Sequence, residues 1–159
     1  MTVTQGELAA NDAELQTYIK QGAEAVATYF GKFPVDHMAI RIRAVSGDRV
    51  RFGRSSPKAT IMMMIGENAH ADAFSTDWTL THEMVHQAFP ATKGDNHNWL
   101  SEGMATYVKP IARAQAGLIS VKEVWRQFVA YMPRGIPKTS IANGRKSWSK
   151  SIWPSYGVN

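Results

Sequence analysis

Cysteine is missing from all 159 residues. Disulfides and thiolate ligands are therefore excluded, and any metal must be held by histidine, carboxylate or water. Long apolar runs are missing too: the chain has no run of about 18 or more apolar residues, so no membrane-spanning helix is expected. The opening MTVTQGELAANDAELQ lacks a basic stretch followed by an apolar one, so no signal peptide is visible. A cytoplasmic protein is the default expectation, or an exported one whose signal peptide is absent from this chain. Acid runs out at Glu123. Residues 1–123 carry 12 Lys/Arg against 13 Asp/Glu, whereas residues 124–159 carry 6 Lys/Arg and no acid. The net charge of +5 thus belongs to the tail. Arg134, Lys138, Arg145, Lys146 and Lys150, interleaved with Trp148 and Trp153, can touch phosphates and stack bases. They follow no helical or RNA-motif pattern, so a solvated end is expected and nucleic acid is not the expected partner.

What remains is the size of one ordinary domain, long enough to bury a core. Residues 11–30 show Leu15, Ile19, Ala23, Val26 and Phe30 at three- and four-residue steps, which predicts a helix capped by Asn11 or Asp12 and stopped by Gly31. MAIRIRA, residues 38–44, alternates apolar and basic residues like a half-exposed strand. Residues 45–58 hold Gly47, Asp48, Gly53 and Pro57 and predict turns around at most a short strand. ATIMMMIG, residues 59–66, predicts a buried strand whose methionines fill core. Helices are expected from Thr76 to Phe89, from Trp99 to Ala116, and from Ser120, with Glu123 in capping-box position, to Pro133. Helix, strands, then helices predict an α+β domain with a small sheet packed against helices.

HEMVH, residues 82–86, lies in the central helix. Positions i and i+4 share a helix face, so His82 and His86 can direct their imidazoles at one point. Zinc asks for such convergence, plus a third protein ligand and an open position for water. Glu83, at the edge of that face, can take a proton from water acidified by the metal. The third ligand has three candidates: Asp95, His97 and Glu102. NWLSEGMATYV, residues 98–108, puts Glu102 in the first turns of the next helix, among apolar Leu100, Met104, Ala105 and Val108. A carboxylate on that face is costly unless paired or metal-bound, which favours Glu102. Thr106 can support it from the following turn.

HEMVH followed by EGMATY, with Trp99 three residues before Glu102, resembles the gluzincin metallopeptidases. WxxEGxAxY is especially similar to the branch containing the glycyl aminopeptidase and PDZ-peptidase proteins, and more loosely to the thermolysin and aminopeptidase N groups. The likeness is strongest from Asp77 to Tyr107 and extends over residues 59–137. It implies a zincin-like fold, with a small sheet packed against an active-site helix and a following glutamate-bearing helix. It further implies Zn2+ on His82, His86 and Glu102, Glu83 as general base, and a peptide or protein substrate. In that family the strand before the active-site helix is an edge that holds extended peptide, so ATIMMMIG is either that edge or an internal strand. Metzincins fit poorly, because their HExxHxxGxxH pattern meets Phe89 and Thr92 here.

Two features depart from the family. A donor other than zinc usually stabilises the developing oxyanion. His97, taken here as a catalytic residue, and Tyr156 are the candidates; Tyr107 is expected in the core. The chain also ends 57 residues after Glu102, where relatives continue with a helical subdomain. The expected division is therefore a zincin-like metallopeptidase domain at 1–137 and a basic tail, or the start of a truncated helical subdomain, at 138–159. His37 and His70 have no partner at ligand spacing. Two alternatives stay open: a zinc-binding protein of the same fold with little or no peptidase activity, and a basic-tailed nucleic-acid-binding module.

Overall fold

In the computed structural model the alternation in MAIRIRA becomes strand β2 (Ala39–Val45), with Ile40 and Ile42 buried and Arg41 and Arg43 exposed. Residues 1–56, 58–89 and 98–131 are described by the structure. Strands β1 (Thr2–Gln5), β3 (Val50–Ser56) and β4 (Thr60–Gly66) complete one sheet in the order β1-β2-β4-β3. The first three in that order run parallel, and β3 runs antiparallel to β4. Register places Ile40 beside Ile61 and Ile42 beside Met63 on the inner face. Their opposite neighbours Arg41, Arg43 and Met62 point outward, because successive strand residues alternate.

Among the described residues there are five α-helices: α1 (Asp12–Phe30), α2 (Ala71–Thr76), α3 (Thr79–Val85), α4 (Asn98–Gln115) and α5 (Val121–Tyr131). A full capping box opens α1. Asn11 Oδ1 accepts the Glu14 amide at 3.0 Å, and Glu14 Oε2 accepts the Asn11 amide at 2.9 Å. Gly31, at φ 79°, closes it. The buried face is Leu15, Tyr18, Gly22, Ala25 and Val26, rotated from the predicted stripe, with Ile19, Ala23 and Phe30 only partly covered. Only half of the predicted box opens α5. Ser120 Oγ accepts the Glu123 amide at 3.2 Å, but the Glu123 carboxylate turns to Arg126 and Gln127, whose hydrogen bonds hold it down to about 2.

Inner sheet residues, Leu15 and Tyr18 of α1, Leu80, Met84 and Val85 of α3, and Ala105, Val108 and Ala112 of α4 form one core. The molecule is thus α+β, a small mixed sheet backed by helices. Among the described residues no helix is long and apolar enough to cross a membrane.

Several elements differ from the sequence-based expectation. β1 was not foreseen, since TVTQ has one strong apolar residue and gains its order from pairing with β2. β3 is a full seven-residue strand where turns around at most a short strand were expected, and it, not β4, forms the sheet edge beside α3. ATIMMMIG is internal to the sheet, between β2 and β3, with Ile61, Met63 and Ile65 buried on the inner face and Met62 exposed on the other. The helix expected from Thr76 to Phe89 is α3 followed by a 3₁₀ turn at His86–Ala88, and α2, just before it, was not expected. Asp77, between α2 and α3, accepts the Leu80 amide on its Oδ2 at 3.2 Å.

Two glycines let α3 sit close to its neighbours. A Cβ on Gly53 of β3 would lie 2.7 Å from Thr79 Cγ2 and 2.8 Å from Glu83 Cγ, and one on Gly22 of α1 would lie 3.3 Å from Met84 Sδ. Gly53→Ala is expected to cost about 1–3 kcal/mol through overpacking. Gly103→Ala, which meets open space in α4, should instead stabilise by about 0.5–1 kcal/mol. Urea midpoints of the two variants check this, and equal midpoints would contradict it.

Candidate metal centre

Helix α3 is seven residues long, too short to be stable alone, and it persists by burial: Leu80 through Val85 are all buried. Its two faces do different work. Leu80 and Met84 pack towards Gly22 of α1. His82, with His86 just beyond the helix end, faces α4. Glu102 reaches back from the first turns of α4 to meet them.

His82 Nε2 lies 3.1 Å from Glu102 Oε2, His86 Nε2 lies 3.5 Å from Glu102 Oε1, and the two Nε2 atoms lie 3.2 Å apart. These separations fit a shared metal. Ligands at about 2.0–2.1 Å in a tetrahedron stand about 3.3–3.4 Å from one another. Each imidazole faces a different oxygen of Glu102, and with one ligand atom from each residue the group lies within 4.8 Å, a set that could hold a metal ion. With only protons to share, the hydrogen bonds from His82 and then His86 hold the Glu102 carboxyl far below the usual range. Burial works to lower His86, but the Glu102 hydrogen bond and charge outweigh it and raise the imidazole above its ordinary value.

Glu83 is buried between α3 and the edge strand, 8% exposed, and its Oε2 accepts the backbone amide of Ser55 at 2.6 Å. Gln87, one turn on, donates its side-chain amide to Ser55 Oγ. Burial raises the Glu83 carboxyl, outweighing the His82 and His86 charges and the Ser55 amide. A carboxylate made more basic beside a group that could hold a metal ion is able to accept a proton.

Four residues that support the site were not singled out from sequence. Ser101 Oγ is 3.0 Å from His86 Nδ1. Ser55 anchors Glu83. Trp78 packs edge-to-face on His82, with ring centroids 5.7 Å apart, and Lys109 Nζ lies 3.3 Å from the centre of the Trp78 ring. Spacing offered a signal for the last two: Trp78 is four residues before His82, and Lys109 seven after Glu102, both on ligand-bearing faces. Thr106 makes no hydrogen bond to Glu102 among the described residues. Behind this layer Tyr18 donates to Asp77 Oδ2 at 2.5 Å and Arg113 donates to Ser75 O at 3.1 Å, tying α1 and α4 to the start of α3.

No protein-family model and no curated protein matches this chain. The centre therefore stands on its geometry. His82, His86 and Glu102 are brought together as the sequence predicted. Asp95, His97 and Tyr156 lie outside the described residues, as does the basic tail. Tyr107 departs from expectation: it is exposed and stacks on Phe128, with centroids 5.5 Å apart, because it falls on the face of α4 that meets α5. His37 and His70 are both exposed and away from the triad.

Lys109 is 6% exposed, and burial, aided by the Arg113 charge, pushes it from 10.5 down to about 7. The unfolded chain keeps that proton to higher pH than the folded one, so between these values the unfolded state binds more protons and stability rises with pH. At ~1.4 kcal/mol per unit, the contribution is several kcal/mol. Denaturation of the metal-free protein from pH 7 to pH 10 should show this rise, and Lys109→Met should lack it. The same slope in both proteins would contradict the assignment.

Proposed function

We propose that this chain is a zinc-dependent peptidase of zincin-like fold, resembling the gluzincins. The observation that carries the reading is the meeting of His82, His86 and Glu102 within 3.5 Å of one another beside a buried, basic Glu83. A short HExxH helix, a glutamate on the next helix and a mixed sheet with an antiparallel edge strand support the fold assignment.

His82, His86 and Glu102 would hold the zinc, which supplies Lewis-acid polarisation of water and of the scissile carbonyl. Glu83 takes the proton of the attacking water as its oxygen bonds to the carbonyl carbon. It then returns that proton to the nitrogen as the C–N bond breaks, so the amine leaves neutral. The role of holding extended peptide passes from β4, which is internal, to β3, the edge strand beside α3.

One observation favours the alternative of a zinc protein with little turnover: the Ser55 amide already engages Glu83 Oε2 at 2.6 Å. The same variants separate the two. Glu102→Ala is expected to lose most of the bound zinc. Glu83→Gln should keep its zinc and lose peptide hydrolysis by about 10²–10⁴-fold. Metal analysis and cleavage of a casein or peptide-library substrate read both. Zinc without measurable cleavage in the unsubstituted protein favours the alternative, and no zinc after reconstitution overturns the metal reading itself.

A further inference from the structure

A histidine that binds a metal through one ring nitrogen is normally held by a hydrogen bond from the other. His86 follows this rule, with Nδ1 3.0 Å from Ser101 Oγ. His82 does not. Its Nδ1 is buried without a hydrogen-bond partner among the described residues, although the residue is only 7% exposed. Its ring is held by packing instead, edge-to-face against Trp78 at 5.7 Å and against His86 at 4.8 Å.

The Trp78 ring is itself held from α4. Lys109 is buried, forms no ion pair among the described residues, and places its amine 3.3 Å from the centre of the indole. In its protonated form this amine is a cation over the ring's electron-rich face and is attracted to it. Burying it is unfavourable for the fold, since an apolar side chain would fill the same space without desolvation. Lys109 stands two turns after Glu102 on the same helix. Helix α4 thus reaches the metal centre twice, once through a ligand and once through the ring that backs another ligand.

We propose that Lys109 and Trp78 are positioning residues that fix the His82 imidazole for metal binding, replacing the hydrogen bond its Nδ1 lacks. The inference rests on the zinc-site reading and makes a separate claim. Removing the amine relaxes the indole, the His82 ring loses its preferred orientation, and affinity for zinc falls. The metal-free fold, relieved of a buried amine, holds or gains stability. Opposite effects on affinity and stability distinguish a positioning residue from a generally structural one.

The test is zinc affinity, by competition with a chromogenic chelator, beside the melting temperature of the metal-free protein. It uses the full chain and Lys109→Met, Lys109→Arg and Trp78→Phe. Lys109→Met is expected to bind zinc about 10–100-fold more weakly, the range for lost support of a ligand. Its metal-free melting temperature should be unchanged or higher. Lys109→Arg, which restores a cation over the ring, should recover most of the affinity, and Trp78→Phe should fall between. Cobalt substituted for zinc gives a second readout, with the visible bands of Lys109→Met shifted from those of the unsubstituted protein. Undiminished affinity in Lys109→Met overturns the inference and leaves the metal site intact. Lost affinity together with a lowered metal-free melting temperature also overturns it, as general destabilisation. Failure of the unsubstituted protein to bind zinc removes the site and the inference with it.

Discussion

Two imidazole nitrogens 3.2 Å apart, with a carboxylate oxygen 3.1 Å from one of them, are poorly matched unless a positive charge lies among them. The carboxylate belongs to one helix and the imidazoles to another, so the arrangement exists only if α3 and α4 are held in a fixed relation. Much of the described structure can be read as meeting that condition. Gly22 and Gly53 remove the side chains that would hold α3 away from α1 and β3. Tyr18 and Arg113 tie the approach to α3 to the helices on either side.

Such a site opposes the stability of the domain that carries it. Glu83, His82, Lys109 and Arg113 are polar or charged, and all are buried in a chain whose sheet and helices otherwise close over isoleucine, valine and methionine. Each must find a partner or shift its protonation, and the shifts of Glu83 and Lys109 are the visible result. A metal binding only the folded form would return part of this energy, because ligand binding stabilises the native state by mass action.

Helix spacing made the triad legible in the sequence. HEMVH sets two imidazoles one turn apart whatever surrounds them, and Glu102 sits among apolar residues where a carboxylate needs a partner. The strand alternation of β2 was equally direct, since burial on one face writes itself into the residue pattern, whereas the apolar run of β4 announced a strand without announcing its exposed Met62. What could not be read depended on contacts distant in sequence. β1 and β3 have weak patterns of their own and owe their order to pairing. The six-residue α2 lies before the stretch whose pattern announced a helix, and Asp77 turns the chain from it into α3 by accepting the Leu80 amide. Ser55 joins the site through its backbone amide, which no side-chain pattern can signal. Trp78 and Lys109 had suitable spacing, but spacing alone could not tell a stacked indole and amine from ordinary surface residues.

X-ray absorption at the zinc K edge, on protein reconstituted with one equivalent of zinc, tests the central claim most directly. The account predicts about four nitrogen or oxygen neighbours near 2.0–2.1 Å, with the outer-shell scattering of two imidazoles. Glu102→Ala should alter that shell. A six-coordinate oxygen shell without imidazole scattering would mean that zinc lies elsewhere, and that His82, His86 and Glu102 meet for a proton and not for a metal.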